Sequence, residues 1–239
     1  MLPYFYQEQL NPEHKNLTLD EATSKHCAQV LRMTEGEAML LTNGKGLRCK
    51  AIITQASRKH TIVSLEDVEQ LPPRPHNFGV AIAFTKNNSR NEWLLEKATE
   101  IGIRDIFPII TKRSEKDKLK PERLNNILTA AMLQSQQVYL PQLHEARKLP
   151  ALFTHLGATY PQRFVAHCED GLERVSYIEA LSPCADTLVL IGPEGDFTPE
   201  EIELAKAQHC LPVTFGSNRL RTETAGLYAC TVFNAKNYG

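Results

Sequence analysis

The residues best suited to chemistry are polar side chains in two glycine-containing loops near the carboxyl end of the chain. Loop one is the segment 192–196, with the sequence GPEGD, and loop two is the segment 216–224, with the sequence GSNRLRTET. Each loop follows a short apolar run that is typical of a strand and precedes a helical pattern. Polar groups at the ends of two strands of an α/β protein are expected to form a ligand site.

Loop one contains two glycines but matches neither of the common phosphate-binding fingerprints. A dinucleotide site needs G-x-G-x-x-G, and a nucleoside triphosphate site needs G-x-x-x-x-G-K followed by Ser or Thr. Gly192 and Gly195 would let a ligand approach the backbone closely, and Pro193 stiffens the turn. The loop therefore predicts either a site for another small molecule or an ordinary turn between a strand and a helix.

Loop two places charged side chains at alternate positions just before the last helical pattern. These side chains are Arg219, Arg221 and Glu223. One interpretation is that Thr222 caps the helix and that both arginines are solvated. However, the helix macrodipole disfavours cations at a helix N-terminus. The two arginines therefore indicate an anionic partner or a buried acid, with Glu194 and Glu223 as the candidate acids.

The helix after loop one has an unusually complete start signal. Thr198 is predicted as the N-cap, Pro199 as the first helical residue and Glu201 as the residue that completes a capping box. Phe197 and Ile202 can pack across the helix start as a hydrophobic staple. These features are expected to hold loop one at a fixed angle to the helix.

The elements that must position both loops alternate between strands and helices over residues 77–239. The predicted strands are 78–84, 106–110, 164–166, 188–191 and 213–215. The predicted helices begin at Ser89, interpreted as the N-cap of a capping box with Glu92, at Pro121 and at Thr198, and the last covers about 223–235. This alternation predicts an α/β domain with a mostly parallel sheet and helices on both faces.

Residues 1–70 show a different pattern, with short strands and a single helical segment. The predicted strands are 38–42, 48–54 and 61–65, with a hairpin turn at 43–46 and a helix at 19–31. This pattern predicts a small β-barrel with one helix. Three prolines within 71–76 favour an extended connector. The predicted division is therefore a domain at 1–70, a linker at 71–76 and a second domain at 77–239.

Composition excludes several broad classes of function. The 239 residues carry a formal net charge of -1, so no global positive field attracts nucleic acid. The segment 112–123 is nevertheless rich in basic residues, and it is either a solvated face or a phosphate-contacting patch. No run is apolar enough to span a bilayer, and the first residues lack the pattern of a signal peptide. The expected location is therefore the cytoplasm.

The cysteines and histidines give no sign of a metal site. None of the six cysteines forms a C-x-x-C pair, and none of the eight histidines forms an H-x-x-x-H pair. We therefore expect reduced, mostly buried thiols and no bound metal.

The two loops carry a resemblance to a known family. The runs LIGPEG at 190–195 and FGSNRLRTETA at 215–225 closely resemble the C-terminal motifs of SPOUT-class methyltransferases. They look specifically like the 16S ribosomal RNA (uracil-N3)-methyltransferase family. Further similar segments extend the resemblance over nearly the whole chain, at His26, 30–32, 43–46, 97–102 and 134–135. The chain departs from the family at Asp196, often a glycine there, and at Gln136 and Gln137, where an arginine is common.

The resemblance implies a PUA-like β-barrel followed by a SPOUT α/β domain with a C-terminal trefoil knot. It implies S-adenosyl-L-methionine as the cofactor and a homodimer in which each site is completed near the partner subunit. It also implies methylation of N3 of a specific uridine in 16S ribosomal RNA of the small ribosomal subunit. The cofactor would be held by backbone groups near Leu190, Gly192, Glu194, Gly195, Phe215, Gly216, Leu220 and Arg221.

The implied reaction suggests roles for individual side chains. Uracil N3 carries a proton in neutral uridine, so the proton must leave while N3 is aligned with the methyl donor. We expect Arg221 to stabilise negative charge on a uracil oxygen, Glu223 to orient Arg221 or receive the proton, and Thr222 to position the base. The candidates for RNA phosphate contacts are Arg32, Lys45, Arg48, Lys116, Lys118 and Lys120.

Three alternatives follow from the sequence. A non-catalytic RNA-binding or ribosome-assembly factor could have the same fold without binding the cofactor. A SPOUT enzyme could instead act on transfer RNA, or on another base or ribose position. A Rossmann dehydrogenase is disfavoured because the glycine fingerprint is missing.

Overall fold

A computed structural model describes residues 2–115, 119–169 and 171–239, and the chain divides into two compact units. The first unit combines Met1–Pro73 with Met132–Leu140, and the second combines Arg74–Ala131 with Pro141–Gly239. Among the described residues, no helix is long and apolar enough to cross a membrane.

The first unit is built on a five-stranded sheet in the order β1-β3-β4-β5-β2. Its strands are β1 (Tyr4–Tyr6), β2 (Asn16–Thr18), β3 (Ala38–Thr42), β4 (Leu47–Gln55) and β5 (Ile62–Gln70). β1 runs parallel to β3, and the other pairs are antiparallel. Every second residue of β4 from Leu47 to Ile53 is buried, as expected for a strand with one face on a core. The predicted strands at 38–42, 48–54 and 61–65 are confirmed.

One helical segment lies between β2 and β3, as predicted. Helix α1 covers Glu21–Lys25 and continues into a π-helical turn at His26–Val30. Asp20 is the N-cap of α1, and its carboxylate accepts a hydrogen bond from the backbone N–H of Thr23 at 2.8 Å. Cys27 and Leu19 are buried in the core of this unit, so the helical segment covers the apolar face of the sheet.

The first unit also contains the segment 132–140, which is distant in sequence. Hydrogen bonds join this segment to the turn after β3: the N–H of Gly46 donates to the carbonyl of Val138 at 2.9 Å, and the N–H of Leu140 donates to the carbonyl of Gly44 at 2.9 Å. The Tyr139 hydroxyl donates to the carbonyl of Leu71 at 2.8 Å. The segment therefore closes this end of the first unit.

The second unit contains a parallel sheet in the order β11-β13-β10-β12-β6-β7-β8, with β9 beside β7. Its strands are β6 (Phe78–Ile82), β7 (Asp105–Ile110), β8 (Gln142–Leu143), β9 (Arg147–Lys148), β10 (Gln162–Ala166), β11 (Val175–Ser176), β12 (Thr187–Ile191) and β13 (Cys210–Thr214). All residues of β6 and β12 are buried, as expected when both faces of a sheet are covered. The predicted parallel α/β sheet is confirmed.

The helices after β6 are α2 (Asn88–Ile101), α3 (Pro121–Gln134), α4 (Leu149–Leu156), α5 (Tyr177–Ala180), α6 (Pro199–Ala207) and α7 (Thr222–Tyr238). Ala81 of β6 shares a core with residues of α4 and α6. The next residue, Ile82, faces the other side, where a Cβ atom at Gly226 would lie 3.1 Å from its Cδ1 atom. The missing side chain at Gly226 therefore lets α7 pack closely on β6 and on Leu94 of α2.

Two helix starts test the predicted caps. The capping box at Thr198 is confirmed, because its hydroxyl accepts from the Glu201 N–H while the Glu201 carboxylate accepts from the Thr198 N–H. The predicted N-cap at Ser89 is wrong. Asn87 caps α2 instead, and its side-chain oxygen accepts the N–H of Ser89 at 2.9 Å. Asn87 has the extended backbone that an N-cap needs, so the helix begins two residues earlier than predicted.

Candidate functional site

The structure brings loop one and loop two together at one edge of the parallel sheet. β12 leads into loop one, β13 leads into loop two, and β10 lies between them. Because the strands are parallel, their carboxyl ends share an edge. The hydroxyl of Thr222 donates to the carbonyl of Gly192 at 3.2 Å and so links the two loops directly. This bond is buried, since Thr222 is 7% exposed.

Loop one is held by an unusual backbone position at Asp196. Its φ of 63° lies in the left-handed region that favours glycine. Its carboxylate accepts hydrogen bonds from the N–H groups of Cys168 at 2.6 Å and Phe197 at 2.7 Å. The departure from the family at this position is therefore compatible with the same backbone. It also adds a link between loop one and the residues after β10.

Part of the basic run supports loop one instead of facing solvent freely. The guanidinium of Arg113 donates to the carbonyls of Gly195 at 2.8 Å and Phe197 at 3.3 Å. The N–H of Lys112 donates to the carboxylate of Glu201 at 2.8 Å. The start of the basic run 112–123 therefore has a structural role, which is neither that of a solvated face nor that of a phosphate-contacting patch.

Loop two needs glycine at one position for its backbone. Gly216 has a φ of 114°, which side chains rarely adopt, although a Cβ atom there would meet nothing within 4 Å. The ring of Phe215 is fixed between those of Tyr177 and Tyr228, with centroids 5.3 Å and 5.1 Å away. The side chain of Phe215 is thus anchored inward, while residues 216–219 are exposed.

The start of α7 carries the three candidate catalytic residues. Arg221 is the N-cap residue and is exposed, and no side chain caps this helix start. Thr222 is the first helical residue, so the interpretation of Thr222 as the cap is wrong: its hydroxyl bonds to Gly192 instead. Nothing in the local sequence indicated Gly192 as the partner of this hydroxyl.

Glu223 is the buried acid of the site, at 7% exposed, whereas Glu194 is exposed. Its Oε1 atom lies 3.6 Å from Nε of Arg90. Its Oε2 atom is buried and has no hydrogen-bond partner among the described residues. A buried carboxylate oxygen without a partner is costly, and it marks a place where a ligand group can complete the hydrogen bonding.

A pocket of about 640 Å³ opens at this point. It is lined by Ser89, Arg90, Trp93, Arg219, Leu220, Arg221, Glu223 and Thr224. Two predicted cofactor residues, Leu220 and Arg221, therefore line it. The other six predicted cofactor residues lie in loop one, in the first part of loop two or in the strands that precede them: Leu190, Gly192, Glu194, Gly195, Phe215 and Gly216.

Sequence reasoning missed Arg90 and Trp93. Both lie near the start of α2, where nothing in the local sequence marks them as neighbours of loop two. α2 packs on α7, and this packing brings them to the pocket.

The described residues among the predicted RNA-binding residues are divided between the two units: Arg32, Lys45 and Arg48 belong to the first unit and Lys120 to the second. Arg48 pairs with Glu69 at 2.9 Å, and Lys45 lies 3.9 Å from Glu8. Arg32 is exposed and adopts a φ of 55°. Lys120 lines a second cavity of about 290 Å³ in the second unit. Lys116 and Lys118 lie outside the described residues.

His167 follows β10 beside loop one and was not predicted as a site residue. It is 4% exposed, and neither ring nitrogen has a hydrogen-bond partner among the described residues. Burial lowers the pKa of His167, and the nearby Arg174 acts in the same direction, while Asp196 opposes them. The only sequence signal is its place directly after a predicted strand.

We expect His167 to make the folded state less stable in mild acid. Because its folded pKa is lowered, the unfolded chain binds a proton that the folded chain resists once the pH falls below about 6.5. The free energy of unfolding is therefore at its full value above that pH and decreases as the pH falls. The measurement is the urea midpoint of the parent protein and of His167→Gln between pH about 5.5 and about 7.5. The midpoint of the parent protein should fall more steeply toward acid, so the two midpoints should converge there.

The exposed His209 offers a matched control for this titration. His209→Gln should leave the pH dependence of the urea midpoint nearly as in the parent protein. A constant difference between the parent protein and His167→Gln over the whole range would contradict the assignment.

A second titratable cluster lies at the opposite edge of the sheet. The carboxylate of Asp105 accepts from the Tyr160 hydroxyl at 2.6 Å and lies 2.8 Å from Nε2 of His144. Burial and the adjacent carboxylate raise the pKa of Tyr160. Ligands of such sheets bind at the carboxyl ends of the strands, and Asp105 begins its strand. We therefore interpret this cluster as structural.

Groups of histidine, cysteine, aspartate or glutamate arranged to hold a metal ion were sought among the described residues, and none was found there. All six cysteines are free thiols. Burial raises the pKa of four of them, Cys27, Cys49, Cys210 and Cys230, to between about 11 and about 12.

Comparisons with known proteins agree with this geometry. A family described as RNA methyltransferase domain matches residues 72–234, and a family described as RNA methyltransferase PUA domain matches residues 19–66. Ribosomal RNA small subunit methyltransferase E of Bacillus subtilis (strain 168) is 26% identical, covering 87% of this chain and 86% of the relative.

Two solved structures are also similar. A probable rRNA-methyltransferase from Porphyromonas gingivalis is 34% identical, with a TM-score of 0.90, over 99% of this chain and 98% of that chain. A putative methyltransferase from Legionella pneumophila, in complex with the bound cofactor SAM, is 27% identical, with a TM-score of 0.86, over 99% and 98%.

Proposed function

This chain belongs to the RNA methyltransferase family and carries that family's PUA domain, and from this premise we propose that it methylates N3 of a specific uridine in 16S ribosomal RNA, with S-adenosyl-L-methionine as the methyl donor. A relative over most of its length is named a ribosomal RNA small subunit methyltransferase. The observation that carries the proposal is the pocket in which the exposed Arg221 lies beside the buried, incompletely bonded Glu223.

The residues of the two loops fit the proposed cofactor. The exposed backbone of 216–219 and the open space beside Gly216 leave polar groups and room for a small polar molecule. The Thr222–Gly192 hydrogen bond holds the two loops side by side. The groups that would hold it are backbone groups near Leu190, Gly192, Glu194, Gly195, Phe215, Gly216, Leu220 and Arg221. When bound, S-adenosyl-L-methionine supplies an electrophilic methyl group on a sulfonium.

The side chains of the pocket divide the work on the uridine. Arg221 stabilises the negative charge that develops on a uracil oxygen as N3 loses its proton. Glu223 accepts that proton at Oε2, the oxygen that lacks a partner among the described residues, while Arg90 orients the carboxylate through Oε1. Thr222 has a positioning role, because its hydroxyl donates to the carbonyl of Gly192 and so fixes loop one beside the start of α7.

Purified small ribosomal subunits provide the direct test. Incubation with the protein and S-adenosyl-L-methionine labelled in its methyl group should label 16S ribosomal RNA, and nucleotide mapping should find N3-methyluridine at one position. Parallel incubations with transfer RNA and with large ribosomal subunits provide the contrast, and label confined to transfer RNA or 23S ribosomal RNA would overturn the proposal. A chain that binds small subunits but not the cofactor would favour a non-catalytic assembly factor.

The proposal includes the finer architecture and assembly that the family resemblance implies. The first domain is a β-barrel over 1–70, the linker is 71–76, and the second domain, 77–239, ends in a trefoil knot. Supporting the knot, the chain leaves β13 at one side of β10 and returns across loop one to pack α7 on α2. A crystal structure whose last helix does not pass through an earlier loop would exclude the knot.

A homodimer in the cytoplasm completes the proposal. Its substrate is part of the small ribosomal subunit, which is assembled in that compartment. Light scattering across a concentration series should give twice the chain mass, and a chain mass that stays at 26.9 kDa would exclude the dimer. Cell fractionation should place the protein with the cytoplasmic ribosomes.

Basic residues of the first domain are proposed to contact RNA phosphates. Arg32→Ala combined with Lys45→Ala should weaken binding to 16S ribosomal RNA and lower the slope of log K against log salt by about one per lost contact. Filter binding at several salt concentrations measures both effects. Lys59→Ala, in the exposed turn between β4 and β5, is the control. An unchanged slope in the double variant would mean that Arg32 and Lys45 do not contact RNA phosphates.

A further inference from the structure

Trp93 stands out at the pocket because it is a large aromatic side chain left partly in solvent. It is the sole tryptophan of the chain and is 42% exposed, while its neighbours Leu94 and Leu95 on α2 are buried. Within the described residues, its indole ring has no stacked ring and no cation over its face. A bulky indole of this kind is normally well buried, so its exposure at the proposed site needs an explanation.

The surroundings of Trp93 favour a nucleobase as the missing partner. Three arginines line the same pocket, Arg90, Arg219 and Arg221, and they make its rim attractive to phosphate. Uracil N3 lies on the pairing edge of the base, so the substrate segment must be unpaired at the target. Proteins hold unpaired bases by stacking them on aromatic rings and on guanidinium planes.

We propose that Trp93 is the base-stacking residue of this site, and that its indole face receives an unpaired nucleobase of the RNA segment that carries the target uridine. This inference rests on the proposed function, because it takes an RNA substrate as given. Arg221 and Glu223 then act on the edge of the uracil, while Trp93 holds the face of a base. Its role is to bind and position the substrate, not to transfer protons or charge.

The sole tryptophan makes the inference directly measurable. Intrinsic fluorescence of the full chain reports on Trp93 alone, so a short single-stranded oligouridylate should quench the emission as it binds. A double-stranded RNA of the same length should leave the emission nearly unchanged, because its bases are already stacked. Quenching that follows the binding curve supports the stacking contact, and binding by anisotropy without quenching overturns it.

Two substitutions separate stacking from mere bulk. Trp93→Leu should raise the Kd for oligouridylate about 5- to 150-fold, the range expected for one stacked base, while Trp93→Phe should recover part of the affinity. The Kd for S-adenosyl-L-methionine and the circular dichroism should stay as in the parent protein. Ile178→Ala, which removes an exposed apolar side chain outside the pocket, is the control.

The outcomes distinguish this inference from the proposed function. Methyl transfer with an unchanged KM for RNA in Trp93→Leu overturns the stacking role alone. Quenching by RNA in a protein that transfers no methyl group supports the stacking role and defeats the proposed activity. A concentration-dependent blue shift of the Trp93 emission without RNA, combined with loss of the dimer in Trp93→Leu, means that a second copy covers the indole, and it overturns the inference.

Discussion

Arg221→Ala is expected to lower methyl transfer about 100- to 1,000-fold while leaving the affinity for S-adenosyl-L-methionine within a few-fold. The loss has the size found when a single group that stabilises transition-state charge is removed. The guanidinium is exposed at the pocket wall. The backbone carbonyl of Arg221, which accepts the N–H of Ala225 at 2.8 Å, survives the substitution.

Single-turnover methylation of small subunits and isothermal titration with the cofactor measure the two halves of this prediction separately. Arg219→Ala at saturating RNA is the matched control for the chemical step, since this arginine lines the same pocket two residues earlier and is assigned to phosphate attraction, not to charge stabilisation on the uracil. Arg221→Lys keeps the charge but loses the planar fork, and it should recover only part of the rate. Near-normal turnover in Arg221→Ala would remove Arg221 from the mechanism.

Glu223→Gln is expected to lower kcat by about 100- to 10,000-fold, the usual contribution of a general base. The amide keeps the size of the side chain and cannot accept the proton. We also expect the folded protein to lose no stability, because the carboxylate is buried with one oxygen unpartnered and is 3.6 Å from its cation. A purely structural glutamate would behave in the opposite way.

Rate measurements and urea unfolding of the same preparation test this pair of effects. Glu203→Gln provides the control, because Glu203 is an exposed acid on α6 and does not line the pocket. Its turnover should change little. If Glu223→Gln turns over normally, the proton acceptor lies elsewhere. If it is strongly destabilised, Glu223 is a structural residue.

The sequence predicted the elements that have a strong local pattern. The apolar strand at 188–191 and the capping box at Thr198 were readable because their signals lie within a few residues of each other. β1 and β2 were missed because strands of three residues are too short to show alternation. At α2, Ser89 and Asn87 are both good N-cap residues, and the backbone of Asn87 decided between them.

The candidate site was predictable only where its residues are adjacent in sequence. Arg221 and Glu223 are two residues apart, so their chemistry could be considered together. Arg90 reaches the site through the packing of α2, and no local pattern marks it. Arg113 reaches loop one from the segment after β7, and the basic run that contains it gave no sign of this contact. Their roles depend on the three-dimensional structure.

The segment 132–140 has a consequence for how such proteins can be recombined. It belongs to the first unit and forms hydrogen bonds with the turn around Gly44 and Gly46. In sequence, however, it lies between the two stretches that form the second unit. In a chimera with a crossover in the proline-rich linker, the five-stranded sheet would come from one parent, and the segment 132–140 that closes this unit would come from the other. Exchange of RNA-binding units between relatives should therefore succeed only when both stretches are transferred together.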